Sequence, residues 1–219
     1  MYKPNLIITP QIENNYFNGI QKECVLVNIE GKDYEECVKA NFWANKKGGV
    51  YGRGLGREDD DPHKPVRTGL LGQMAFGMLT DEEVDTEYRE YGDQQDNLIL
   101  GYKYDIKCSM KNYEKTLIYH ISEKGRHIPV NKDCYVCSYV KKEDREKGEA
   151  SIVIVGFALK KDVLECPVKP GIRGKHKNIE VPFHRLKPIL GLIKSIFNLK
   201  ERERERKKLS SSLNYHSNW

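Results

Sequence analysis

The sequence predicts an α/β domain, and three observations carry that prediction. Short β-branched and aromatic runs (Cys24–Ile29, Asn97–Leu100, Tyr102–Cys108, Cys134–Val140 and Ser151–Phe157) have strand length. Between and after them lie segments with helical spacing of apolar residues, the last running from Lys187 to Lys208. The chain has 219 residues, 38% of them hydrophobic and 32% charged, which is enough for one domain with its own core.

Residues 1–22 hold Pro4, Pro10 and the pair Asn14-Asn15 and read as loosely ordered. Cys24–Ile29 is the first strand, closed by Gly31, and residues 1–32 form an N-terminal segment with that strand. Asp33 is placed to cap a helix from Tyr34 to Asn45, with Val38 and Phe42 on one face. Residues 46–66, rich in glycine, read as a long loop; its acidic run Glu58–Asp61 is solvated and Gly54-x-Gly56 lacks the nucleotide-binding spacing. Thr68 then caps a helix over Gly69–Leu79 that is apolar nearly all round and therefore buried. Its small residues, Gly69, Gly72, Ala75 and Gly77, allow close backbone approach.

Next comes a hairpin: Asn97–Leu100, a turn at Gly101, and Tyr102–Cys108. Thr116–Ile121 reads as an extra strand, and Cys134–Val140 and Ser151–Phe157 as core strands joined by a charged turn. Ala158–Leu164 begins a turn or short helix, Pro167–Lys177 an exposed basic loop, and Ile179–Phe183 a last short strand. The core spans 33–188, a charged C-terminal helix 189–208 and a disordered tail 209–219. Pro188 is tolerated in the first turn of that helix, and its stripe of Ile189, Leu192, Ile193 and Ile196 packs on the domain before ERERERKK projects.

Composition narrows the setting. Six cysteines occur without a secretory leader, and no apolar run reaches the ~18 residues that span a membrane. Reduced thiols in the cytoplasm, the host's if the protein is viral, are expected. Cys134 and Cys137 lie three apart on a strand and so face opposite ways, which argues against a zinc knuckle. A net charge of +5, from 37 basic and 32 acidic residues, permits a nucleic-acid partner without requiring one.

The hairpin is where chemistry is expected. Alternation along the strand sends Asp105 and Lys107 to one face and Ile106 to the core, and the hairpin length brings Asp96 alongside Asp105. Two close carboxylates repel unless a cation lies between them, and hard oxygen ligands favour Mg²⁺ or Mn²⁺. Acid-x-Lys also occurs at Glu30–Lys32 and Glu205–Lys207, but only Asp105-Ile106-Lys107 has an apolar middle residue, a preceding strand and an upstream Asp.

An Asp entering one strand, followed by Asp-x-Lys on the next, resembles the PD-(D/E)xK, restriction-endonuclease-like nuclease superfamily, in a phage-type or resolvase-like form. The resemblance implies a mixed central sheet flanked by helices. It implies Asp96, Asp105 and the Ile106 carbonyl as metal ligands, with Lys107 orienting the attacking water. In that family a helical Glu precedes the hairpin; here Gly72-Gln73-Met74-Ala75 carries Gln73 in its place. Glu82, Glu83 and Asp93 are alternative acids, and Gln73 as an ordinary satisfied helix residue stays equally open. The basic segment, with Lys169, Arg173, Lys175 and Lys177, is positioned to track phosphates. The expectation is a Mg²⁺- or Mn²⁺-dependent nuclease acting on nucleic acid, foremost DNA, with a homodimer allowed by the family. The alternative is an inactive nucleic-acid-binding or assembly protein on the same fold.

Overall fold

A computed structural model describes residues 1–4, 9–46, 64–86, 97–121, 125, 129–170 and 177–216. In chain order the strands are β1 (Gln11–Phe17), β2 (Ile20–Glu30), β3 (Asn97–Ile99), β4 (Tyr102–Ser109), β5 (Lys115–Ile121), β6 (Cys134–Asp144), β7 (Glu149–Leu159), β8 (Val168–Pro170) and β9 (Lys177–Pro182). The helices are α1 (Gly31–Lys46), α2 (Lys64–Thr80), the short α3 (Lys160–Leu164) and α4 (Ile189–His216), with a 3-10 turn at Phe183–Arg185.

Six strands make a mixed sheet in the order β1-β2-β7-β6-β4-β3, and β5-β9-β8 make a second, three-stranded sheet. Among the described residues of the large sheet, only β4 and β6 pair in parallel. Parallel neighbours need a crossover. Here the chain leaves β4, passes through β5 of the small sheet, and returns to β6.

Both faces of the large sheet are covered. On one, Val27, Ile106, Val136 and Ile152 pack with Leu71, Met74 and Phe76 of α2, with Tyr34 and Cys37 of α1, and with Ile189, Leu192, Ile193 and Ile196 of α4. On the other, Cys24, Tyr135, Cys137, Val153 and Val155 pack with Ile118, Ile179 and Val181 of the small sheet and with Phe183. Phe183 stands edge-on to Phe17 at 5.4 Å and stacks with Tyr139 at 6.4 Å.

The α/β class, the mixed sheet between helices and the C-terminal helix accord with the sequence. Several local readings change. The expected strand at Cys24–Ile29 lies within β2, but residues 11–22 belong to a hairpin instead of a loose lead-in, because Asn18 (φ 49°) and Gly19 (φ 76°) supply the two left-handed residues of a tight turn. The second helix begins at Lys64, so Thr68 is a buried residue within it and no cap. Asp33 likewise sits inside α1, where its Oδ1 accepts a hydrogen bond of 2.8 Å from the Tyr2 hydroxyl. β6 and β7 each extend to 11 residues, taking in most of the charged segment assigned to their turn. Helix α4 runs to His216, beyond the expected end at 208. The glycine-rich stretch 47–63, with Gly54, Gly56 and Glu58–Asp61, lies outside the described residues.

A charged pair ties α2 to β6. Arg67, on α2, is buried, and its Nε donates to Glu143 Oε1 of β6 at 2.6 Å while Nη2 donates to Oε2 at 3.3 Å. The Tyr34 hydroxyl donates to the same Oε1 at 3.0 Å. At Gly156 the segment entering α4 comes against β7, and a Cβ there would stand 2.4 Å from the Lys187 carbonyl oxygen and 2.9 Å from Leu186 Cβ. The nearer atom is backbone, fixed by reciprocal Phe157–Lys187 hydrogen bonds of 2.8 and 3.0 Å, so no rotamer change relieves the clash. Gly156→Ala is expected to destabilise the domain by about 1–3 kcal/mol, read as a lowered urea midpoint at unchanged slope.

Candidate active site

The expected hairpin is present, one residue shorter on its first strand. Leu100 (φ 52°) and Gly101 (φ 84°) turn the chain, and the register pairs Asn97 with Tyr104, Leu98 with Lys103 and Ile99 with Tyr102. Side chains alternate as the sequence requires. Tyr104 and Ile106 enter the core beneath α2, where the Tyr104 and Phe76 rings lie 5.9 Å apart. Asp105 and Lys107 turn to the other face, and Lys107 Nζ meets Asp105 Oδ1 at 2.9 Å.

That face is not open to water throughout. Asp105 is next to Tyr135 in the parallel register and Lys107 next to Cys137, both of which belong to the second core. The Asp105 side chain is 12% exposed and that of Lys107 36%, so the carboxylate is recessed and the ammonium reaches solvent. Burial pushes the Tyr135 phenol up to about 12 against an opposing backbone N–H of Lys132, and the charges of Asp105 and Asp133 add to the rise. The phenol therefore stays protonated at neutral pH. Burial likewise holds the Cys137 thiol above its ordinary range, so it is neutral beside Lys107.

The β6–β7 ladder slips between Cys137 and Ser138, which puts a β-bulge at the level of Lys107. Bulges re-aim side chains and are frequent beside functional sites. Here the Ser138 hydroxyl donates to the Lys107 carbonyl at 3.3 Å.

Not every expected residue joins this pair. Gln73 lies on α2, which covers the opposite face of the sheet; it is 8% exposed, and its Oε1 is buried without a hydrogen-bond partner among the described residues. Glu82 is engaged by Lys200 at 2.5 Å. Asp96 and Asp93 lie outside the described residues, as do Arg173 and Lys175. Lys169 lies in strand β8 instead of a loop, and Lys177 opens β9. Cys134 and Cys137 contribute to opposite cores.

Asp133 and Tyr135 are the residues that sequence reasoning passed over. Asp133 precedes β6; its Oδ2 accepts the Lys103 backbone N–H at 2.8 Å, and its own N–H donates to the Lys103 carbonyl at 2.9 Å. An acid just ahead of a strand pairing with the Asp-x-Lys strand is the signal that could have drawn attention to it.

The fit to a divalent cation is incomplete among the described residues. Asp105 offers one carboxylate, already engaged by Lys107, and no three His, Cys, Asp or Glu side chains converge. A hard cation takes six or more oxygen ligands, some of them water. Comparison of the chain with protein-family models, with curated proteins and with solved structures returns no match. Among the described residues no helix is long and apolar enough to cross a membrane.

The basic part of the small sheet is partly self-neutralised. Glu180 of β9 sits between Lys115 Nζ at 2.7 Å and Lys169 Nζ at 3.7 Å. The Lys115 hydrogen bond holds the Glu180 carboxyl below the ordinary glutamate range, and the charges of both lysines contribute. A depressed folded-state pKa adds stability above the unfolded-state value, and that stability is lost as pH falls through the folded-state value. Lys115→Ala should raise the Glu180 pKa in an NMR carboxyl titration and remove part of the acid-limb dependence of stability.

Proposed function

We propose that the chain acts on the phosphodiester backbone of nucleic acid, as a nuclease whose reacting groups gather around Asp105 and Lys107. The observation that carries this reading is the 2.9 Å contact between them on one face of β4, with the carboxylate recessed and the ammonium toward solvent. An ammonium so placed binds a phosphate oxygen and offsets charge that grows on the phosphoryl group during in-line attack. Asp105 fixes that ammonium and keeps it aimed. Asp96, the residue before Asn97, would supply the second carboxylate; Asn97 pairs with Tyr104, the residue before Asp105. The described residues do not complete a cation site, so metal dependence belongs to the experiment and no step is routed through it.

A second reading is favoured by Gln73. It stands where the resembled family carries a helical acid, and it lies on α2, which packs on the sheet face opposite to Asp105 and Lys107. On that reading the protein binds nucleic acid, foremost DNA, without cutting it. Lys107, Lys169 and Lys177 would then contact phosphates.

The test is a cleavage panel of linear duplex, single-stranded and branched DNA and RNA, with Mg²⁺, Mn²⁺ or EDTA. Wild type is expected to cut at least one substrate. Lys107→Ala and Asp105→Asn should each lose about 10²-fold or more in rate while keeping the wild-type circular dichroism spectrum. Full activity in either folded variant would overturn the assignment of the site. Binding without cutting by wild type would establish the second reading instead.

Asp96→Ala separates the two carboxylates. Loss of cleavage in that variant, with the Asp105–Lys107 contact unaltered, identifies Asp96 as the second acid. Wild-type rates there would remove Asp96 from the site.

A further inference from the structure

Strand β1 is the outer strand of the large sheet, and among the described residues nothing pairs with its free edge. The tight turn at Asn18-Gly19 sets Phe17 opposite Ile20. In a hairpin with a two-residue loop, that closing pair exchanges both backbone hydrogen bonds, and such pairs recur at every second residue. Gln11, Glu13, Asn15 and Phe17 therefore bond inward to β2, while the N–H and C=O groups of Ile12, Asn14 and Tyr16 point outward.

Edge strands in soluble proteins are ordinarily guarded by lysine, proline, a bulge or short length. β1 has seven residues, an unbroken register and neither lysine nor proline. Its one charge, Glu13, is ion-paired within the chain to Lys141 of β6. Ile12 and Tyr16, two of the outward-bonding residues, lie on the same face and are 54% and 64% exposed.

We propose that this edge pairs with β1 of a second copy of the chain, antiparallel, about a two-fold axis at Asn14. The sequence is self-complementary in that register. Asn14 faces Asn14 of the other copy, Ile12 faces Tyr16, Glu13 faces Asn15, and no like charges oppose. The Asn14 and Ile12–Tyr16 positions are the hydrogen-bonded ones, giving about six N–H···O bonds across the axis. Two aromatic–aliphatic pairs flank it on one face. An axis at Glu13 would instead set two carboxylates opposite each other. The contact is isologous and closes on itself, so it yields a dimer and no fibre.

The test is sedimentation equilibrium of the full chain over about 1–200 µM, the upper part being where weak specific pairs form. Wild type is expected to rise toward twice the monomer mass. Asn14→Pro removes an outward N–H only, a substitution that edge strands accept, and should leave a folded monomer. A second pair of variants reads the register without touching the backbone. Ile12→Lys with Tyr16→Lys places lysines opposite each other and should abolish the dimer. Ile12→Lys with Tyr16→Glu places lysine opposite glutamate and should restore it. A wild type monomeric throughout, or a dimer indifferent to Asn14→Pro and to the double-lysine variant, would overturn the proposal. Loss of the dimer in the lysine–glutamate variant would overturn the axis at Asn14.

Discussion

How near α2 comes to the sheet sets the position of everything on the helical side. The approach is tight at Gly72, where a Cβ would lie 2.5 Å from Cys108 Cβ and 3.2 Å from Ser138 Oγ. With hydrogen in that place, the helix settles onto β4 and β6, and Leu71, Met74 and Phe76 reach the sheet side chains directly. α1 and α4 then pack around a helix that is buried on every side from Leu71 to Thr80. Enclosure of that kind leaves little tolerance for polar groups, which is why the Arg67–Glu143–Tyr34 cluster stands out. Each charge there is matched by a partner at hydrogen-bonding distance, the condition on which a buried ion pair is tolerated. Gln73 is the contrasting case, a buried amide whose oxygen is left over.

Much of this was legible in the chain, and the reasons differ by element. The buried helix was readable because leucine, methionine and phenylalanine surround it and glycines break the ring of bulk. The Asp105–Lys107 hairpin was readable because strand alternation is strict, so acid-apolar-lysine can be resolved into faces without coordinates. The N-terminal hairpin was missed although Asn18-Gly19 is a strong local turn signal; two prolines and an asparagine pair drew attention away from it. The small sheet was not legible as a separate layer. Lys115–Ile121 and Lys177–Pro182 are far apart in sequence, and their pairing is a property of the fold. For the same reason the polar face of β4 could not be foreseen to be half covered, since its cover arrives from those distant strands.

The covering layer changes what the Asp105–Lys107 pair is. On an open hairpin, two neighbouring opposite charges in water contribute little. Asp105 is recessed beside Tyr135, whose phenol burial keeps neutral, so the carboxylate of the pair sits in a less polarisable setting while the Lys107 ammonium reaches solvent. The bulge at Cys137/Ser138 and the parallel β4–β6 junction occur at this same level of the sheet. Irregular backbone, a charge pair and neutral neighbours thus coincide at one place.

Lys200 gives the fold a direction in time. Its ammonium reaches from α4 to the Thr80 and Asp81 carbonyl oxygens at 2.7 and 3.0 Å, and to Glu82. Those carbonyls stand at the end of α2, where the helix itself has no further N–H to offer them. During synthesis α2 leaves the ribosome more than a hundred residues before its cap does. Lys3, made before the helix, also donates to the Asp81 carbonyl at 2.8 Å, but the apolar contacts of α2 with Ile189 to Ile196 require the C-terminal helix. The helical layer therefore depends on contacts far apart in sequence, whereas the hairpins β1–β2, β3–β4 and β6–β7 are local.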